Sequence, residues 1–356
     1  MELVVLDVSL RTIDIVDNFE SLIWVERYSA YGDFEIYIFV NAWLLGTLKQ
    51  DYYLWLKGSE QTMIIEGIQI ESDAENGDHL TVTGRSLESI LDRRIVWKQT
   101  LLTGNFQNAI KKLLDENIIN PSDTSRKVNN LIFEPSTDPR ITSLTVDMQF
   151  TGDNLYDAIK FLCDSKDIGF KITLSHDNKF VFKLLGWSDR SYDQFTNPYV
   201  IFSPEFDNII NSDYIESKRV LKTIALVAGE GEGLQRRTVT VTIPSGAGTG
   251  LNRREIFRDA RDVSSTVDGK ELTAAEYNSQ LAERGGESLL ENTFLKSFEG
   301  QVETTHLFKY GEDFFMGDIV QIANEYGIEG KARVTEIIRS QNKDGFDIYP
   351  TFVTIE

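Results

Sequence analysis

Along much of the chain, polar and apolar residues alternate one for one, the period that sets successive side chains on opposite faces of a strand. The clearest stretch runs from Asp313 to Phe352. Asp318-Ile-Val-Gln-Ile322 and Arg333-Val-Thr-Glu-Ile-Ile338 alternate on either side of a break at Tyr326-Gly327. Asp344-Gly345 then turns the chain into Phe346 to Val353. An Asp-Gly pair suits a two-residue hairpin, because both central positions take positive φ. The same grammar appears early, in Asp51 to Leu56, a break at Gly58-Ser59, Met63 to Glu71, and an Asn76-Gly77 turn into Leu80-Thr-Val-Thr83. Asp313-Phe-Phe matches Asp51-Tyr-Tyr, Glu336-Ile-Ile matches Glu66-Gly-Ile, and Asp344-Gly matches Asn76-Gly. These correspondences read as a weak internal duplication, two small antiparallel units at opposite ends of one chain. Any two β-meanders share features of this kind, so the repeat needs independent support.

Ahead of the first unit the pattern predicts further strands at Leu3–Leu6, Ile13–Val16, Ser21–Tyr28 and Phe34–Val40, rich in β-branched and aromatic residues. With Met63 to Thr83 they make a sheet of about six or more strands, enough to curl into a barrel or sandwich. The period then becomes helical. Ser86 is placed to cap a helix with Leu87, Ile90 and Leu91 on its apolar face. A second helix from about Asn105 to Asn117 buries Phe106, Ala109, Ile110, Leu113 and Leu114, and residues 118–140, with three prolines, read as a long loop. A third helix follows Gly152-Asp153, with Leu155, Ala158, Ile159 and Leu162 in register. A hairpin of Gly169–Leu174 and Lys179–Leu185 turns at His176-Asp177-Asn178. From Tyr214 the strands return, through Val220–Val227 and Arg237–Ile243, followed by a flexible tip at Gly246, Gly248 and Gly250. Thr273 and Glu276 form a capping box for a last helix, with Leu272 and Tyr277 placed as a hydrophobic staple. Gly285-Gly286 should weaken that helix by about 1 kcal/mol per glycine.

The class is therefore α+β, mainly antiparallel β. The expected division is a first β domain over 1–100, an α+β middle domain over 101–205, and a second β domain over 206–356. The last carries an inserted loop and helix at about 245–295. The 356 residues suffice for two or three domains with their own cores. Hydrophobic residues at 41% and aromatics at 11% exclude a disordered chain. Met1-Glu-Leu-Val-Val-Leu-Asp7 has no basic start, so it is not read as a signal peptide, and no apolar run reaches membrane-span length. Cys163 is the only cysteine, which excludes an intrachain disulfide and suits assembly in a reducing cytoplasm. Within a helical pattern it reads as a buried structural thiol. A net charge of −20, from 56 acids against 36 bases, argues against gripping a phosphate backbone. Arg236-Arg237 and Arg253-Arg254 are isolated pairs, although an acidic wall would let DNA pass without holding it.

No catalytic, cofactor-binding or metal-ligating set stands out. His79, His176 and His306 have no ligand-like spacing to one another or to Cys163. Asp73-Ala-Glu-Asn-Gly-Asp78 superficially resembles a calcium loop, but strands flank it where helices are required, and a hairpin is the better reading. Gly229-Glu-Gly-Glu-Gly233 carries acids that would repel phosphate, and neither it nor Gly246-Ala-Gly-Thr-Gly250 fits a nucleotide fingerprint. With so many carboxylates a glycosidase pair is available by chance, yet no pair is singled out by its surroundings.

Four stretches together resemble a known family. They are Gly84-Arg-Ser-Leu87 with Ile90-Leu-Asp-Arg-Arg94, Gly186-Trp-Ser-Asp-Arg-Ser191, Val227-Ala-Gly-Glu-Gly231, and Tyr310-Gly-Glu-Asp-Phe-Phe-Met-Gly-Asp-Ile-Val320. In this order and over this span the chain resembles the baseplate hub proteins of siphophage tails, and more distantly the central hub of contractile phage tails. The resemblance implies two tail-tube-like β-barrels with intervening α/β parts, and no enzymatic site. It implies a homotrimer whose six β units cap a sixfold tail tube on one side and meet a threefold tip on the other. It also implies contacts with the tail tube protein and other tip or baseplate proteins, a place in the virion tail, and DNA that passes through without specific binding. Some relatives carry a C-terminal hydrolase or host-binding extension, and ending at Glu356 the chain is expected to lack one. The alternative reading is a tail-tip hydrolase acting on host glycan or peptidoglycan.

Overall fold

The computed structural model describes residues 1–355 except 76, 244–247, 268, 303–306, 328 and 344, with the backbone alone at 210–213, 234 and 295–302. The expected turns at Asn76 and Asp344, the tip at Gly246, and His306 thus lie wholly or partly outside the described residues. The N-terminal strands are β1 (Leu3–Leu6), β2 (Thr12–Val16), β3 (Ser21–Arg27), β4 (Asp33–Phe39), β5 (Tyr53–Leu56), β6 (Thr62–Asp73) and β7 (Gly77–Ser86), with α1 (Ala42–Thr47) between β4 and β5. The middle contributes β8 (Thr100–Asn105), α2 (Phe106–Leu114), β9 (Leu131–Glu134), α3 (Pro139–Thr142), β10 (Thr145–Phe150), α4 (Leu155–Asp164), β11 (Gly169–Leu174) and β12 (Phe180–Leu185). Then come β13 (Ile201–Phe202), β14 (Ile209–Ser217), β15 (Ile224–Ala228), β16 (Thr238–Thr242), β17 (Glu255–Asp259), β18 (Thr266–Val267) and β19 (Lys270–Glu271). The chain closes with α5 (Ala274–Glu291), β20 (Leu295–Val302), β21 (Ile319–Ala323), β22 (Glu329–Asn342) and β23 (Gly345–Ile355).

The two ends of the chain build one sheet. Its path is β14-β20-β23-β22-β3-β4-β7-β6-β5-β1-β2, with β21 on β22 and β13 on β21. Every neighbour on that path is antiparallel, and only β13–β21 is parallel. Among the described residues the path is open, since β14 and β2 do not meet, and no closed barrel forms. The meanders β5-β6-β7 and β21-β22-β23 flank the β3–β4 pair. Each carries a bulge in its long middle strand, between Ile65 and Gly67 and between Val334 and Glu336. Beside each bulge a glutamate takes an arginine, Glu66 with Arg85 and Glu336 with Arg27.

Among the described residues, buried side chains gather in four clusters. Leu3, Trp24, Ile36, Leu54 and Val82 fill the N-terminal unit. Phe202, Phe314, Val320, Val334 and Phe352 fill the C-terminal one. There the Phe202 ring lies 5.4 Å from Phe314 and 5.1 Å from Phe352, contacts that add about 0.5–1.5 kcal/mol per pair beyond area burial. The largest cluster joins α2, α4 and β11–β12 through Phe106, Leu113, Ile159 and Phe182. A fourth, with Val227, Tyr277 and Leu281, lies between α5 and the sheet β16-β15-β17.

Some local expectations shift. The helix after Gly84 is a 3-10 helix over Leu87–Arg93, and the Ser86 side chain does not cap it. That hydroxyl accepts from Gly32 N at 2.7 Å and donates to Glu88 instead, so a tertiary partner outcompetes the cap. The second helix ends its α-geometry at Leu114 and continues as a π turn over Asp115–Ile119. The proline-rich stretch holds β9, parallel to β12, a 3-10 turn at Thr124–Arg126, and α3 starting at Pro139. At α5 the capping box of Thr273 and Glu276 forms. Its two glycines differ. A Cβ on Gly285 would lie 2.6 Å from Val241 Cγ2 and 2.8 Å from Val227 Cγ2, so the missing side chain lets the helix press onto its sheet. Gly286 faces open space. Gly286→Ala should therefore stabilise the unit by up to about 1 kcal/mol, whereas Gly285→Ala should destabilise it. Amide exchange along α5 in the two variants measures this, with opposite signs expected.

Candidate functional site

Three of the four stretches that carry the family resemblance lie at joints between packed units, and the fourth, Val227–Gly231, lies within the unit of β15–β17 and α5. The most extensive joint brings together β3, the loop after β12 and the loop before β21. Gly317 has φ +89°, a conformation that glycine adopts without strain. Its absent side chain matters as well, because a Cβ there would lie 2.3 Å from the Tyr28 ring. Tyr28 is buried, and its hydroxyl donates to Leu185 O at 3.0 Å and Asp167 O at 3.1 Å, tying the end of β3 to the middle unit. Burial pushes the Tyr28 phenol well above its ordinary range. The Arg333 guanidinium stacks between the rings of Tyr28 (5.4 Å) and Trp187 (5.2 Å) and donates to Gly317 O at 3.1 Å.

Asp318 is the polar centre of this joint. Its Oδ1 accepts from Ser188 N at 2.8 Å, and its Oδ2 accepts from Arg190 Nε at 2.6 Å and Phe315 N at 3.1 Å. Backbone bonds run alongside, Ile319 N to Ser188 O at 2.9 Å and Arg190 N to Ile319 O at 2.7 Å. Two motifs separated by more than a hundred residues, Gly186–Ser191 and Tyr310–Val320, are thus one structural element. Asp318 is 3% exposed and spends its lone pairs on donors of its own chain, which makes it a clamp rather than a reagent.

The other two motifs behave alike. Arg85 holds Glu66 with two bonds, at 2.7 and 3.0 Å, and Asp92 with a third at 2.9 Å. Next to it, fully buried Glu88 accepts from Ile172 N at 2.7 Å, linking the 3-10 helix to β11. Burial raises the Glu88 carboxyl above its ordinary range, outweighing the hydrogen bonds from Ser86 and Ile172. In Val227–Gly231 the Tyr277 hydroxyl accepts from Glu230 N at 2.8 Å and donates to Val263 O at 3.1 Å, fixing α5 against its sheet.

The residues weighed for chemistry are scattered. His79 stacks on Tyr37 and Phe39, with ring centres 4.5 and 4.3 Å away. His176 borders a cleft of about 640 Å³ that also exposes Trp55, Glu134 and Lys183. Cys163 is buried within α4, and burial raises its thiol well above the ordinary range. Asp73 and Asp78 lie on paired strands, with Asp73 opposite Gly77 and Ser72 opposite Asp78. Among the described residues no group of His, Cys, Asp and Glu side chains is arranged to hold a metal ion. Tyr28, Glu88 and Arg333 escaped the sequence reading, since each sits in a strand or helix pattern that does not reveal its long-range partners.

A family profile described as Siphovirus ReqiPepy6 Gp37-like protein matches residues 2–352. The chain belongs to this siphovirus Gp37-like family. No curated protein matches it. Among solved structures, this Gp37-like chain is similar to the 43 kDa tail protein of prophage MuSo2 from Shewanella oneidensis. Identity is 14%, the match covers 99% of this chain and 98% of the other, and the TM-score is 0.59. The tail protein from Neisseria meningitidis MC58 gives 13% identity, coverage of 99% and 96%, and a TM-score of 0.58. Prophage tail protein gp18 from Listeria monocytogenes EGD-e gives 12%, 100% and 95%, and 0.55. The Gp37-like chain thus has the fold of phage tail proteins over its whole length.

Two outcomes follow for the joints. Gly317→Ala should destabilise the protein by at least about 2 kcal/mol through strain and the Tyr28 clash, and Gly317→Val by more. Denaturant melts of both variants test the order. For Glu88, a folded pKa above the unfolded one means that the native state binds the extra proton, so its contribution to stability falls as pH rises above about 4.5. Glu88→Gln should flatten that part of the stability–pH curve, as denaturation at pH 5 and pH 7 would reveal.

Proposed function

We propose that the chain is a structural protein of the virion tail, the hub that joins the tail tube to the tail tip. The observation that carries this reading is the pairing of β22 with β3, Glu336 to Gln341 against Arg27 to Leu22, which fuses two β-meander units into one sheet. Three copies of a chain with two such units offer six units to a sixfold tube and threefold symmetry to a tip. In this reading each unit plays the part of one tail-tube-like β-barrel, although among the described residues the sheet is open. Its partners are the tube protein and the other tip or baseplate proteins, and its role is architectural rather than enzymatic. The joints support such a role, because Asp318, Arg333, Arg85 and Glu88 all bind within the chain.

DNA leaving the capsid would pass through the ring. The formal charge of −20 fits a channel wall that repels phosphate and holds no sequence. Among the described residues no helix is long and apolar enough to cross a membrane. Counting copies per tail by cryo-electron microscopy of virions tests the central point. Three copies are expected, and one or six would overturn the reading.

A further inference from the structure

Against an acidic background, one surface of the chain is basic and aromatic. It is formed by Arg93 to Lys98, after the 3-10 helix, and by the turn at Thr124 to Lys127. Trp97 is 65% exposed and Ile95 39%. The guanidinium of Arg126 lies 5.1 Å from the Trp97 ring. Arg126 donates to Ile95 O at 2.7 Å, and Arg94 donates to Arg126 O at 3.0 Å and Arg93 O at 2.9 Å. These cations are held on backbone carbonyls. Among the described residues none of Arg94, Lys98, Arg126 and Lys127 forms an ion pair, and Arg93 only brushes Asp51 and Glu66, at 3.8 and 3.7 Å. Burial and the neighbouring Arg126 and Arg93 lower the Arg94 pKa, as expected where like charges crowd, and Arg126 in turn helps lower the carboxyl of neighbouring Asp123. A Trp at the centre with Arg and Lys around it has the composition of an interface anchor.

The same chain carries a complementary element. β6 pairs with β5 only over Thr62–Ile64, and beyond Gly67 the β6–β7 hairpin runs on past it. This extension exposes Ile68 (37%) and Ile70 (52%) on one face, which Asp78, opposite Ser72, shares; Glu75 is exposed in the turn, and Glu71 and Asp73 are exposed on the other face. It begins at Glu66, beside Arg93, and about seven residues of paired strand carry its end roughly 23 Å away. A hairpin of this length cannot bend back onto the patch at its own base.

The geometry points to a head-to-tail contact in which the outer end of the β6–β7 hairpin of one copy docks on the Trp97 patch of a second copy. Ile68 and Ile70 meet Trp97 and Ile95, and Asp78 on their face, with Glu75 in the turn, meets Arg93, Arg94, Lys98 and the Arg126-Lys127 turn. A contact between two different surfaces of one chain closes into a ring when the rotation permits. The inference rests on the three-copy reading and names the surfaces that would close the ring.

The test uses virions of a phage encoding Glu75→Cys together with Lys98→Cys, treated with a bis-maleimide. Both positions are exposed, while the native Cys163 is buried and should not react. A ladder ending at three linked copies, absent from each single variant, is expected. Three copies per tail by microscopy but no linkage between copies, or linkage only to another tail protein, would overturn the docking and leave the trimer standing. A copy number other than three would overturn the trimer itself. Independently, Lys98→Glu with Lys127→Glu should reduce assembled tails by about tenfold, and adding Glu75→Lys with Asp78→Lys should restore them. Failure of that restoration would also sink the contact.

Discussion

Everything in this molecule depends on one long strand having two partners along one edge. The first half of β22, Glu329 to Arg333, pairs with β21, and the second half, Glu336 to Gln341, pairs with β3. The change of partner coincides with the bulge after Val334, where the register against β23 shifts. A bulge bends and twists its strand, which lets one strand serve two units that could not share a flat sheet. Tyr28 N donates to Thr335 O at 2.9 Å at this point, so β3 is tied to the bulge itself. The polar lining of the seam is self-contained. Arg27 reaches Glu336 at 2.6 Å, and buried Glu26 accepts from Ser59 Oγ at 2.7 Å and Arg339 Nε at 3.3 Å. A buried charge pair of this kind adds little net stability over apolar packing, but misplacing either partner is costly, so it favours this register over its neighbours.

Because the seam joins residues some three hundred positions apart, it cannot form early. The loop entropy must be met before the contacts are made, and topologies of this sort fold slowly. The meanders on either side are local and can form first. The clamp at Asp318 then brings the loop after β12 to the loop before β21, which fixes the middle unit against the C-terminal one.

Strands and helices were legible where one face is wet and the other buried. β3, β4, β21 and β22, and the stripes of α2 and α4, follow from period alone. The capping box of α5 was legible because it depends on residues three apart. What escaped was set by distance. Ser86 looked like a cap because its local context is that of a cap, and only Gly32 and Glu88 in space explain why it is not. The short β9 and β13 have parallel partners far along the chain and no alternating run long enough to announce them. The glycines of α5 looked equivalent, yet only the sheet beneath the helix distinguishes Gly285 from Gly286. The joints were partly visible, as stretches of resemblance, but nothing in them revealed that Gly186–Ser191 and Tyr310–Val320 form one clamp.

The unit built from β15–β17 and α5 follows a different physical rule from the rest. It departs from the end of the β14–β20 pair, where Ser217 lies opposite Leu295, and returns to lie against β10. Its apolar cluster stays separate from that of the middle unit, and the contact between them is polar. Gln149 accepts from Gln99 at 2.7 Å and donates to Ser264 O at 3.0 Å and to the Gln280 side chain. Buried Arg284 reaches Asp262 at 2.8 Å, Glu287 at 3.1 Å and Asp153 at 3.9 Å, with its guanidinium 5.4 Å from the Phe150 ring. Amides and ion pairs exchange protein partners for water at small net gain, typically about 1 kcal/mol per bond, whereas an apolar seam does not come apart so evenly. The β22–β3 seam holds its units through a backbone ladder that leaves no choice of partner. The inserted unit is instead placed by side chains, in one orientation, on a contact whose geometry is specific and whose net strength is modest.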